Sequence, residues 1–204
     1  MEFFLRIIIF LCNFWKLHST ILLEKIKEGD RVNWEELYYE YSDRVYQFLM
    51  MMVGDEEIAE DLTHDTFLRV KNSLEKYRGD ASYYTWIISI ARHIVYDHWR
   101  KKRIIRFIPL AASKPVADYH TPDEILQKGE EIRELYEAMK KLKTNYQEVI
   151  ILRKIQELSI EETSLALGWS VSKVKSTLLR ALAALKIELV KRREGGSANE
   201  QTMA

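Results

Sequence analysis

Ser159 to Val190, SIEETSLALGWSVSKVKSTLLRALAALKIELV, is the stretch whose reading decides the fold. Ser159 followed three residues later by Glu162 forms a capping box, in which hydroxyl and carboxylate each satisfy a free amide and open a short helix through Leu167. Gly168-Trp169 makes a turn, and Ser170 or Ser172 can cap a second helix from Val171 to Val190. Short helix, glycine turn and longer helix is the plan of a helix-turn-helix. Val174, Leu178, Leu182 and Leu185 share the inner face of the second helix, which turns Lys173, Lys175, Ser176 and Arg180 outward. A recognition helix needs this division, because its N-terminal half must reach base edges while flanking cations hold phosphates. An ordinary helical hairpin uses the same cap and turn, so the rest of the chain has to choose between them.

Upstream, Tyr77 to Arg103 reads YRGDASYYTWIISIARHIVYDHWRKKR. Tyr77, Tyr83, Tyr84, Trp86, Tyr96 and Trp99 are interleaved with Arg78, Arg92 and the run Arg100 to Arg103, and Asp80 and Asp97 are its only carboxylates. Aromatic faces stack on unpaired bases and cations track a phosphate backbone, a chemistry suited to opened nucleic acid. Trp86, Ile87, Ile90, Ile94 and Val95 also recur at helical spacing, so part of this apolar content is the buried side of a helix. The terminal cations equally suit a solvated helix end.

The remaining pattern is helical throughout. Trp34, Leu37, Tyr38, Tyr41, Val45, Phe48, Leu49 and Met52 predict one long amphipathic helix that Gly54 stops. Asp55 caps the next, which buries Ile58, Ala59, Leu62, Phe67 and Val70 and shows Asp61, His64, Asp65 and Arg69 on its other face. Pro109, Pro115 and Pro122 fall in a span without periodicity, which reads as a linker. Beyond it Pro122-Asp123-Glu124 resembles a helix start, Ile132, Leu135, Tyr136, Met139 and Leu142 form a stripe, and a further helix runs through Tyr146, Val149, Ile150, Leu152 and Ile155. The expected fold is all-α: two small helical domains, 24–106 and 129–193, joined by a flexible linker, 107–128, with the helix-turn-helix in the second. A disordered tail is expected over 194–204.

Residues 1–23 are an apolar extension interrupted by Arg6, Asn13, Lys16, His18 and Ser19, where a spanning helix needs about 20 predominantly apolar residues. It lacks the positive start and cleavage pattern of a signal peptide. A partner- or membrane-contacting helix, or residues outside the native start, are the readings left; the second is favoured. A helix then runs to Lys27, before Gly29.

The 204 residues carry 31 Lys and Arg against 31 Asp and Glu, but the charge is segregated. Acid gathers over 55–65 and 123–137, and base over 92–106 and 173–193, which suggests two surfaces for a polyanion and one for another partner. The single cysteine, Cys12, excludes an internal disulfide and fits a reducing cytoplasm. His93, Asp97 and His98 read as a polar helix face rather than a metal site. No nucleophile-base set, metal cluster or phosphate-cradling glycine loop is present, so neither a catalytic residue nor a cofactor is expected.

Two blocks now resemble a known family. The run from Trp34 to Arg103, containing DLTHDTFLRV and YRGDASYYTWIISIARHIVYDHWRKKR, is similar to domain 2 of bacterial sigma factors of the extracytoplasmic-function (ECF) class. The run LYEAMKKLKTNYQEVIILRKIQELSIEETSLALGWSVSKVKSTLLRALAALK is similar to their domain 4. The resemblance implies a promoter-specificity subunit of bacterial RNA polymerase that is not itself a catalyst. It implies that Asp61, His64, Asp65 and Arg69 dock on the clamp helices of the polymerase largest subunit, with His64 standing where Gln is usual. It assigns Tyr77, Gly79, Asp80, Ala81, Ser82 and His93 to a pocket for a base extruded from the minus-ten element, and Arg92, Arg100 and Lys101 to the DNA backbone; His93 stands where Asn is common. It assigns Lys173, Lys175, Ser176, Leu179 and Arg180 to the minus-thirty-five element. Relatives are often restrained by an anti-sigma factor, frequently membrane-anchored, and one is expected here. The family's linker threads toward the polymerase active centre; this one holds few acids. A stand-alone helix-turn-helix regulator is the alternative: it accounts for 159–193 but not for the aromatic-basic stretch or the acidic face.

Overall fold

The computed structural model describes residues 32–107 and 130–200, with side chains over 32–102 and 133–192. The extension 1–23, the helix to Lys27, the helix start at Pro122 and the linker beyond Phe107 lie outside the described residues.

Every regular element among the described residues is helical. Helix α1, Trp34–Val53, buries Leu37, Val45, Phe48, Leu49 and Met52 on one side. Gly54 ends it at φ +73°, its amide donating to the Met50 carbonyl at 2.8 Å; a left-handed residue closes the last turn in this way. Asp55 Oδ1 then accepts from the Ile58 amide at 3.0 Å and starts α2, Glu56–Ser73. A 3-10 turn, Leu74–Lys76, leads to the loop before α3, Tyr83–Phe107. Ile87, Ile88, Ala91 and Val95 of α3 are fully buried, completing a three-helix unit.

The second unit comprises α4, Glu130–Lys140; α5, Thr144–Ile150; α6, Ile160–Leu167; and α7, Val171–Glu200. The capping box at α6 is formed: the Glu162 amide donates to Ser159 Oγ at 3.0 Å and the Ser159 amide to Glu162 Oε2 at 2.8 Å. Gly168 sits at φ +64° between α6 and α7, and the Lys173 amide donates to Ser170 Oγ at 3.3 Å, which makes Ser170 rather than Ser172 the cap.

Two features depart from the sequence expectation. Helix α7 continues past Val190 to Glu200, covering part of the expected tail, because Gly195 and Gly196 each weaken a helix by only about 1 kcal/mol relative to Ala and do not by themselves stop it. The helix expected to run through Ile155 widens into a π-helical turn over Ile151–Ile155, where the Gln156 amide donates to the Ile151 carbonyl at 2.9 Å. That turn carries Gln156 against the first unit, so the two helical units touch, a contact that periodicity alone does not reveal.

Candidate nucleic-acid and polymerase interface

The loop before α3 is shaped by its own side chains. Tyr77 stacks on Tyr83 with ring centroids 4.3 Å apart, and lies 5.0 Å from the Trp86 ring. Its hydroxyl donates to the Ala81 carbonyl, closing the loop. Burial, then neighbouring Tyr83 and Asp80, push the Tyr77 hydroxyl up from its ordinary value, so at neutral pH it stays a donor. Gly79 has φ +77° and nothing within 4 Å of where a Cβ would lie, so backbone conformation rather than crowding calls for glycine. Ser82 Oγ accepts from the Thr85 amide at 3.2 Å and starts α3. Asp80 and Ser82 remain exposed and Ala81 is half-buried.

Along α3, His93, Arg100 and Lys101 are exposed. His93 Nδ1 lies 2.5 Å from the Ser89 carbonyl; a carbonyl can only accept, so Nδ1 carries a proton. Arg100 pairs with Asp97 at 3.0 Å, an exposed bridge worth little in water and readily exchanged for a phosphate. Arg92 is different. Its Nε donates to Glu148 Oε1 at 2.6 Å, across the junction with the second unit, and its side chain is 18% exposed.

Helix α2 presents the acidic face. Asp61, His64, Asp65 and Arg69 are exposed while Leu62, Thr63, Thr66, Phe67 and Val70 are buried. Leu68, also exposed, extends this face by one turn from Asp65 and His64. On α7, Lys173, Lys175, Ser176, Leu179 and Arg180 are exposed above buried Val174, Thr177 and Ala181. Lys173 Nζ rests 4.2 Å from the Trp169 ring centre, and Arg180 Nε donates to the Ser176 carbonyl at 3.1 Å. These contacts keep both cations along the outer side of the helix.

The predicted residues thus fall on three elements, α2, the loop with α3, and the first turns of α7, with Arg92 set apart at the junction between the units. Sequence reasoning missed Arg44, Glu148 and Gln156, and took Tyr84 only as one of the aromatic residues; these four join the units. One signal was available: Glu148 interrupts the apolar run Tyr146 to Leu152, and a carboxylate on a buried stripe calls for a partner from elsewhere. Among the described residues no group of three or more His, Cys, Asp or Glu could hold a metal ion, and no helix is long and apolar enough to cross a membrane.

Comparison with known proteins matches this architecture. The Sigma-70 region 2 family model matches residues 37–104 and the Sigma-70, region 4 model matches residues 132–185. The chain is 41% identical over 155 residues to the ECF RNA polymerase sigma factor SigX of Bacillus subtilis (strain 168), covering 74% of this chain and 80% of that protein. It is 36% identical over 162 residues to the RNA polymerase sigma factor YlaC of the same organism, covering 78% and 94%. Two solved structures share its fold at a TM-score of 0.60 and 23% identity: the sigma factor RpoE with the anti-sigma factor NepR from Bartonella quintana, and CnrH with the cytosolic domain of CnrY. The former covers 77% of this chain and 96% of that chain, the latter 84% and 96%.

Region 2 followed by region 4 is the layout of a bacterial RNA polymerase specificity subunit, a class of non-enzymatic initiation factors. The chain belongs to the ECF RNA polymerase sigma factors. A stand-alone helix-turn-helix regulator would leave the region 2 match unexplained.

Proposed function

We propose that this sigma factor divides its work among the three exposed surfaces. Asp61, His64, Asp65 and Arg69 on α2 dock on the clamp helices of the polymerase largest subunit. Tyr77, Gly79, Asp80, Ala81, Ser82 and His93 form or border the pocket for an extruded minus-ten base, and Arg92, Arg100 and Lys101 hold the strand backbone. Lys173, Lys175, Ser176, Leu179 and Arg180 read the minus-thirty-five element. Residues 24–106 and 129–193 are the corresponding domains, and the chain itself carries no catalytic step.

The observation that supports this division is the loop closed by Tyr77 on Ala81, with Asp80 and Ser82 exposed beside it. Extruding a base costs a few kcal/mol, and a loop ordered beforehand adds no further ordering cost when the base arrives. The chain acts in the cytoplasm, where polymerase and promoter are. An anti-sigma factor restrains it, by analogy with the anti-sigma complexes of the two sigma factors that share its fold. Measuring core binding and promoter opening separately for variants of α2 and of the loop tests the division: each set should impair one step and spare the other.

A further inference from the structure

Among the described residues of the second unit, Leu179 is the most exposed large apolar side chain, at 73%. An exposed leucine by itself says little, since much of any protein surface is apolar. Its position says more. Ser172, Lys175, Ser176 and Leu179 are all exposed and, spaced three and four apart, share one side of α7, opposite buried Val174, Thr177 and Ala181. Within that row only Leu179 is apolar.

The polar neighbours of Leu179 are engaged by the helix itself. Ser176 Oγ donates to the Lys173 carbonyl at 3.2 Å, Arg180 Nε donates to the Ser176 carbonyl at 3.1 Å, and Lys173 Nζ rests against the Trp169 ring. No carboxylate occurs on α7 before Glu188. An apolar side chain set in a cationic, acid-free surface is complementary to a polyanion rather than to an ordinary protein face.

Dimensions narrow the contact further. The major groove of duplex DNA is about 12 Å wide and a helix rises about 1.5 Å per residue, so the length from Val171 to Leu179, roughly 12 Å, spans it. Ile187 and Val190, also exposed, lie roughly 24 and 28 Å from the same start and outside the groove. Thymine alone among the four bases places a methyl group on the major-groove edge. Against any other base a leucine finds no methyl, and it strips water from an amine or carbonyl without replacing the hydrogen bond.

We propose that Leu179 reads thymine: its side chain packs on the C5-methyl of one thymine in the minus-thirty-five element and makes an A·T pair the preferred one at that position. This rests on the reading of α7 as the helix that enters the minus-thirty-five major groove. Discrimination has two parts, the methyl that thymine gains and the unpaired polar edge that any other base suffers.

Reconstituted holoenzyme titrated on synthetic promoters copied from a mapped start site tests it, with each thymine of the minus-thirty-five element replaced in turn by uracil, which lacks only the methyl. At one position uracil should weaken promoter binding about fourfold, the equivalent of roughly 0.8 kcal/mol for one buried methyl-sized group. Cytosine there should weaken it further, and 5-methylcytosine should recover part of that loss. Leu179→Ala should abolish the uracil effect, while Ile187→Ala, beyond the groove, should preserve it. Leu179 is exposed, so its Ala variant should keep the parent's helix content and affinity for core polymerase. A uracil effect equal in the parent and in Leu179→Ala would overturn the inference. A Leu179→Ala variant that instead loses affinity for core polymerase would overturn it too, by making Leu179 a protein contact. Promoters that respond to base-pair changes in the minus-thirty-five element but not to uracil would sink the thymine reading alone. Indifference to every base-pair change there would sink the assignment of α7 beneath it.

Discussion

Tyr77 lies against Tyr83 with ring planes 26° from parallel, and its hydroxyl is tied to the carbonyl of Ala81. One side chain therefore both walls the proposed base pocket and sets the loop that forms its rim. Tyr77→Ala should reduce promoter opening about tenfold or more, since one aromatic platform contributes roughly 1–3 kcal/mol to a stacked base. Tyr77→Phe keeps the ring and loses only the loop-closing bond, so its defect should be smaller. Permanganate reactivity of the opened strand measures both, and affinity for core polymerase should be unchanged.

The α2 face should behave in the opposite manner. Asp61 and Asp65 are exposed, so replacing both with Ala should leave thermal stability within about 0.5 kcal/mol. Affinity for core polymerase should fall about tenfold, roughly 1.4 kcal/mol. A fluorescence titration with core polymerase reads the affinity. An unaltered affinity would remove α2 from the docking surface.

Gly54 and Gly168 look alike in the sequence and should differ on substitution. Both have positive φ, so Ala costs about 1–2 kcal/mol at either from backbone strain. At Gly168 nothing lies within 4 Å of the new Cβ, whereas at Gly54 it would meet the Tyr136 hydroxyl at 3.0 Å and Lys140 Cε at 3.2 Å. Gly54→Ala should therefore be the more destabilising in urea unfolding, and it alone should disturb the junction between the units.

Much of this was legible beforehand, and the remainder has a physical reason for being hidden. Helix starts at Asp55 and Ser159 and stops at Gly54 and Gly168 are local chemistry, written within a few residues of where they act. The inner and outer faces of α2 and α7 follow from three-and-four spacing. The partnership of Arg92 with Glu148, and of Arg44 with Gln156, links residues far apart in the chain, and no local pattern encodes it. The π-helical turn was equally unreadable, because its residues Ile151 to Ile155 carry a normal helical stripe. Arg92 consequently read only as a cation for the DNA backbone, although the fold holds it at the junction.

Glu148 gives the junction a pH dependence. Burial pushes its carboxyl up from the ordinary range, and the opposing influences of Arg92, Tyr96 and Lys173 do not cancel this. A carboxyl whose folded pKa is raised binds its proton more tightly in the folded state. Its contribution to stability is full below the unfolded pKa and is lost as pH rises through the folded value. Glu148→Gln cannot titrate. The melting-temperature difference between the parent and this variant should therefore shift in favour of the parent as pH falls through that window; a shift the other way would contradict the account.

The central claim is that the chain gives core polymerase its promoter choice. Run-off transcription on genomic DNA with core polymerase, with and without the purified chain, tests it most directly. The account predicts discrete start sites that appear only with the chain present, and that are weakened by Tyr77→Ala and by paired replacement of Lys175 and Arg180. Transcripts unchanged by the chain, or tight site-specific DNA binding by the chain alone with no effect on core polymerase, would contradict it.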